Sequence, residues 1–148
     1  MLIGSFAHSI DPKGRMFIPA KWRDDLSSTI IVTRGILSKS DSRCLFGMSM
    51  EQWKTFAAKF GSLPETDVMA QAFRRMMFSN AADCDLDKQG RILIPNHLRE
   101  YASLSKDVML VGVDNRIEIW DTRAWEAHNN AMEQEYNEAL MKLAQVGI

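Results

Sequence analysis

Arg15 stands one residue past a tight turn and four residues after Asp11, with Lys13 between them. An arginine so placed projects from a hairpin apex. There its guanidinium can fork onto a guanine edge or hold a phosphate for register. Lys21 and Arg23 follow closely, so four cations face one acid, Asp11, between positions 8 and 23. Such a local surplus attracts phosphate, because neutralising phosphates releases their counterions. The chain as a whole argues against it, with a net charge of −1 and a pI near 6.3. Nucleic-acid binders are ordinarily basic overall, so only the local patch could carry such an interaction. A plainer chemistry is open at the same residues. Asp at the first turn position bonds backbone amides, and Asp11 and Arg15 can simply pair across the turn. Lys21 and Arg23 are equally readable as phosphate contacts or as an ordinary solvated face.

The constellation occurs twice. Asp11, Gly14, Arg15, Ile18, Pro19 and Arg23 return 76 positions later as Asp87, Gly90, Arg91, Ile94, Pro95 and Arg99, without a gap. An internal repeat constrains a fold more than any single site, and two copies of one unit predict a pseudo-symmetric molecule with duplicated tips. The copies are not identical: Gln89 stands in the place of Lys13, and Lys88 in that of Pro12.

The elements that must hold these tips follow from local pattern. Asp11-Pro12-Lys13-Gly14 has the chemistry of a type I turn, and Asp87-Lys88-Gln89-Gly90 keeps its Asp and Gly. Leu2, Phe6 and Ile10 are in phase for an edge strand before the first turn, and Met16-Phe17-Ile18 reads as a strand after it. Pro19 and Pro95 stand at helix starts, where a missing N–H costs nothing. Trp22 with Leu26, and Leu98 with Ala102, then bury one face of a short helix. A second hairpin closes each half. Ile30 to Thr33 lead through Ser38 to Ser42 into Cys44-Leu45-Phe46, and Val108 to Val111 lead through Asp114-Asn115 into Ile117 to Trp120. Between the halves, Ser49 with Gln52 fits a capping box opening a helix through Trp53, Phe56 and Phe60. Gly61 to Pro64 breaks it, and Glu65-Thr66-Asp67 starts another helix through Val68, Phe73, Met76 and Met77. At the end, Thr122 caps a longer helix whose Trp125, Met132, Tyr136, Leu140 and Leu143 form one apolar stripe.

Duplicated Asp-x-x-x-Arg segments, each with Gly, Ile, Pro and Arg at matching offsets and each running from a strand into Pro, resemble the MraZ family. That family belongs to the SpoVT/AbrB-like swapped-hairpin group. The likeness covers nearly the whole chain, including the linking helices, Trp120-Asp121 and the C-terminal helix. It implies an α+β fold in which two tandem AbrB-like swapped-hairpin repeats form a pseudo-dimeric barrel. The repeats would span 5–49 and 79–122, with linking helices over 50–78 and a C-terminal helix over 123–148. It also implies a cytoplasmic, nucleoid-associated bacterial transcription factor that assembles into a closed homo-oligomeric ring. Such rings bind direct repeats in double-stranded DNA upstream of the division and cell-wall gene cluster and mainly repress it, their own gene included. The family's motif arginine maps onto Arg15 and Arg91, its motif aspartate onto Asp11 and Asp87. The candidate DNA-contacting residues are therefore Lys13, Arg15, Lys21, Arg23, Lys88 and Arg91, with Asp11, Gly14, Asp87 and Gly90 shaping the turns. Because of Gln89, the first tip is expected to contribute more than the second.

Other functions find less footing. His8, His97 and His128 lack metal-ligand spacing, and there is no phosphate loop or nucleophile elbow, so no metal, cofactor or small-molecule substrate is expected. Cys44 and Cys84 are far apart and read as buried thiols. No apolar run is long enough to cross a bilayer, and the first residues lack the features of a secretion signal. The chain is 46% hydrophobic and 25% charged, the balance of a folded domain. The four tryptophans read as core or interface anchors, and Arg74 and Arg75 as surface charges. The rival reading is a protein-binding module of the same fold, antitoxin-like or scaffolding. Antitoxins of this fold usually carry one repeat and a disordered acidic tail, whereas this chain has two repeats and a patterned C-terminal helix.

Overall fold

Four of the six sheet ladders that join named strands tie one half of the chain to the other. The computed structural model describes residues 1–36 and 43–148. The polar stretch Ser38 to Ser42, expected at a hairpin tip, lies outside them. Among the described residues the first half contributes β1 (Ser5–Ser9), β2 (Arg15–Phe17), β3 (Thr29–Arg34) and β4 (Leu45–Ser49). The second contributes β5 (Ala82–Asp85), β6 (Arg91–Leu93), β7 (Asp107–Val113) and β8 (Arg116–Asp121). All pairings are antiparallel, and the large sheet runs β1-β7-β8-β4-β3-β5. Exchange the two halves and the order reads the same backwards. β1 and β5 each lie on the other half's hairpin, at the two edges. β2 and β6 pair only with each other, in a separate ribbon. The expected barrel is met only in part: the fold is mixed α and β, but the six-stranded sheet is open.

Alternation along the strands fills two cores. Ile30, Val32, Leu45, Leu110, Ile117 and Ile119 point to one side, where Met16, Ile18, Ile92 and Ile94 of the ribbon segment cover them. Trp22, Leu26 and Leu98, from the short helices after each ribbon strand, complete that core. Each such side chain removed from water contributes about 1.5–3 kcal/mol. Trp22 also donates its indole Nε1–H to the Ile3 carbonyl at 3.0 Å and meets the Phe6 ring edge-on, centroids 5.0 Å apart. Ile31, Phe46, Met48 and Trp120 point the other way, under Trp53, Phe56 and Trp125.

The helices behave largely as their caps dictate. α1 (Arg23–Leu26) continues a 3₁₀ turn over Ala20–Trp22. α2 (Met50–Gly61) begins at Ser49, whose hydroxyl accepts from the Gln52 amide at 3.2 Å. α3 (Val68–Asn80) begins at Asp67, which accepts from the amides of Met69 and Ala70. α4 (Asn96–Tyr101) follows Pro95. Pro19 and Pro95 sit at the cap itself, one residue before the first helical position, and their carbonyls accept the first helical bonds. The C-terminal segment differs from expectation. Asp121 rather than Thr122 occupies the cap of α5 (Thr122–Gln134), and the stripe is divided at Glu135 before α6 (Tyr136–Gln145). At Glu135 the amide bonds the Met132 carbonyl, a tightened turn that interrupts the α-helical ladder. No described helix is long and apolar enough to cross a membrane.

Candidate nucleic-acid interface

Each motif turn closes the same way. The Gly14 amide bonds the Asp11 carbonyl at 2.9 Å and the Asp11 amide bonds the Arg15 carbonyl at 3.0 Å. In the second copy the Gly90 and Asp87 amides repeat this at 3.0 and 2.8 Å. The glycine is the pivot, since φ is +91° at Gly14 and +82° at Gly90, a conformation that costs an L side chain about 1–2 kcal/mol. A second requirement is steric. A Cβ on Gly14 would meet the Arg99 guanidinium carbon at 2.8 Å, and one on Gly90 would collide with that of Arg23. The helix arginine of each half therefore lies against the turn of the other half.

The aspartates organise the tips. Asp11 Oδ1 accepts from the amides of Lys13 and Arg15, both at 2.9 Å, while Oδ2 accepts from Arg15 Nε at 2.7 Å. Asp87 accepts from the amides of Gln89 and Arg91 at 2.9 Å and from Arg91 Nε at 2.9 Å. These bonds, the Arg15 and Arg91 amides foremost, outweigh desolvation and hold both carboxyls below the usual aspartate value. The pairing takes only Nε. Among the described residues no acceptor meets the two terminal nitrogens of either guanidinium, so each arginine is oriented by its carboxylate with its outer fork free.

Register places both arginines on one face. In the ribbon Arg15 lies opposite Leu93, Met16 opposite Ile92, and Phe17 opposite Arg91. Met16 and Ile92 are wholly buried, so Arg15, Phe17, Arg91 and Leu93 share the outward side. The ribbon continues past its ladder, with the Ile18 amide on the Gly90 carbonyl at 3.0 Å and the Ile94 amide on the Gly14 carbonyl at 2.9 Å. The apex is thus not a hairpin within one repeat, as sequence pattern predicts, but a ribbon shared by both.

The remaining candidates separate. Lys13 and Lys88 are exposed at the tips. Lys21 is exposed, its Nζ 5.4 Å from the Phe6 ring on β1. Arg23 is half-buried and fixed, donating Nε to the Ile18 carbonyl at 3.0 Å, as Arg99 does to Ile94 at 3.0 Å. Arg99 is absent from the candidates read off the sequence, although the 76-residue offset that links Arg15 to Arg91 also links Arg23 to it. The exchange of helix arginines brings three cations to each turn: Lys13, Arg15 and Arg99 at one, Lys88, Arg91 and Arg23 at the other. Lys106 adds a cation at the first tip only, lining an open groove with Pro12, Asp11 and Arg99. Its counterpart at the second is the uncharged Ser28, whose carbonyl accepts from the Leu86 amide at 2.8 Å as that of Lys106 accepts from Ile10.

Elsewhere the described residues offer no chemical site of comparable order. No group of three His, Cys, Asp or Glu is placed to hold a metal. His97 sits 3.3 Å from the Asn80 carbonyl, and His128 lies against Trp120, rings 4.9 Å apart. Cys44 and Cys84 are free and buried, and burial foremost, helped by Asp83 and Asp85, pushes the Cys84 thiol up to about 11. Burial opposes ionisation of Asp121, but bonds from the Ser105 hydroxyl and amide, at 2.6 and 3.2 Å, foremost among the favourable causes, hold its carboxyl below the usual value.

Fold and tips together define a duplicated α+β protein that presents two cationic turns from one shared ribbon. The family model described as "MraZ protein, putative antitoxin-like" matches residues 1–76 and again residues 77–145, and the chain belongs to the MraZ family. A relative from Carboxydothermus hydrogenoformans is 44% identical over 143 residues, 97% of this chain and 96% of its own length. One from Acetivibrio thermocellus is 44% identical and one from a Thermoanaerobacter species 43%, each over 148 residues and the whole of both chains. All three are named transcriptional regulator MraZ. The family is one of transcriptional regulators, not of enzymes.

Proposed function

We propose that this chain regulates transcription by binding double-stranded DNA in a sequence-specific way through the two tips and the ribbon between them. The observation that carries the reading is the half-engaged arginine pair. Arg15 and Arg91 are each held at Nε by an aspartate, with the outer guanidinium nitrogens free on one face. A two-stranded ribbon is narrow enough for the major groove, which is about 12 Å wide, where a free fork matches guanine O6 and N7. Lys13, Lys88 and the tip-facing Arg23 and Arg99 would hold phosphates and set register. Lys21 belongs to the periphery of this surface.

The target is the promoter region upstream of the chain's own gene, in the division and cell-wall gene cluster, where direct repeats are bound and transcription is repressed by occlusion of polymerase. One subunit has few cations and binds weakly alone. A closed homo-oligomeric ring presenting several subunits to successive repeats gains affinity through effective concentration. The exposed apolar residues Met132, Tyr136, Leu140 and Leu143 of α5 and α6 supply material for such assembly. A cytoplasmic, nucleoid-associated location follows from this role. The swapped-hairpin description fits the ladders, since β1 and β5 each pair with the hairpin of the opposite half.

A gel shift with DNA from upstream of the chain's own gene, paired with native mass measurement, tests the reading. Retarded bands at physiological salt and a multiple of the subunit mass are expected. Binding that does not distinguish this DNA from a scrambled fragment would remove the sequence-specific part. A protein-binding, antitoxin-like role is the competing reading. It requires the C-terminal segment to be free to wrap a partner, and rapid proteolysis after Gln134 would favour it.

A further inference from the structure

The outward face of the ribbon is not purely cationic. Between its two arginines it carries Phe17 and Leu93, 46% and 55% exposed. An exposed apolar residue alone means little, because much of any protein surface is apolar. Here the placement is specific. Ladder register puts Arg15 opposite Leu93 and Phe17 opposite Arg91, so the face is a four-residue square of alternating character. The Arg91 guanidinium lies 5.8 Å from the Phe17 ring. The buried Met16–Ile92 pair fixes the square from behind, since a one-residue slip would turn both of them to solvent.

Resting on the DNA-binding reading, we infer that Phe17 and Leu93 read the C5-methyl groups of thymines in the major groove while Arg15 and Arg91 engage guanines or phosphates on either side. The major groove offers one apolar feature, the thymine methyl, and a phenyl or aliphatic side chain is its natural partner. Diagonal neighbours across a ladder lie about 7–8 Å apart. That separation corresponds to roughly two base-pair steps at 3.4 Å each. The two apolar residues thus address thymines about two steps apart, flanked by the positions that the arginines reach. Charge argues against a second copy of the chain as the occupant. A two-fold contact through this face would oppose four arginines without a carboxylate to spare, because Asp11 and Asp87 are already engaged.

The test uses the full-length protein and two versions of the same upstream fragment, one with thymine and one with deoxyuridine throughout. Deoxyuridine keeps every hydrogen-bonding group and lacks only the methyl. Burying one methyl is worth about 0.8 kcal/mol, so the wild type should bind the deoxyuridine fragment roughly fourfold more weakly per contacted methyl. Phe17→Ala and Leu93→Ala should each reduce this discrimination, and the double variant should bind both fragments equally. Leu93→Ala is the cleaner single change, because Phe17 also touches the Arg91 guanidinium. Both sites are exposed, so circular dichroism and Tm should match the wild type. Equal binding of both fragments by the wild type, or undiminished discrimination in the double variant, would overturn the proposal while leaving DNA binding intact. A change in assembly mass in the double variant would overturn it by assigning the face to a protein contact. Failure to bind either fragment would bring down the DNA reading itself.

Discussion

At the scale of single residues, the tip aspartates decide what the arginines can do. Each carboxylate takes two backbone amides and one Nε, which leaves a guanidinium aimed but only half satisfied. Replacing Arg15 or Arg91 with Ala should weaken binding to upstream DNA by about tenfold to a hundredfold, the worth of one forked contact, with Tm unchanged. Equal affinities by gel shift would remove that arginine from the contact. Both carboxyls titrate below the usual aspartate value, so their contribution to the turns is present above the unfolded-state pKa and lost as pH falls through the lower folded one. Side-chain carbon NMR should therefore give Asp11 and Asp87 midpoints below an ordinary aspartate. DNA binding should not respond to these two groups between about pH 5 and 8, above both the shifted and the ordinary aspartate values.

At the scale of elements, the helix arginines act as reciprocal clasps: Arg23 on the Gly90 turn and Arg99 on the Gly14 turn. Gly90→Ala should cost about 1–2 kcal/mol for its left-handed backbone, and more for displacing the Arg23 guanidinium. Combining it with Arg23→Ala should relieve the second part, so urea denaturation of the two single variants and the double should show favourable coupling. Strict additivity would mean that the guanidinium simply moves aside. Much at this scale is legible in sequence. The turn residues, the Ser49 cap and the alternation of Ile117 to Trp120 are local signals, and the structure carries them where expected. Pairing across the halves is not local. Nothing in Arg15-Met16-Phe17 says that its ladder partner is Arg91-Ile92-Leu93 rather than β1, and the position of Arg23 on the opposite half's turn is illegible for the same reason. The break at Glu135 was also hidden, since the stripe of apolar residues continues through it.

At the scale of the whole molecule, the halves are complementary rather than independent. A fragment of residues 1–76 would hold β1 without β7, β2 without β6 and β3 without β5. Such a fragment should be unfolded as a monomer, or ordered only as a dimer whose copies supply each other's missing strands. Circular dichroism with sedimentation analysis separates these from the result that would contradict interdependence, a folded monomer. The same pairing sets a timetable for biosynthesis. Ser9 finds Asp107 across the β1–β7 ladder, about a hundred residues further along the chain. At about 5–20 residues per second, the ribosome needs roughly 5–20 s to deliver that partner after the first strand has emerged. Throughout that delay the nascent edge stays without a mate. In a polysome its nearest suitable mate belongs to the neighbouring nascent chain, so crowded translation itself favours entangled products.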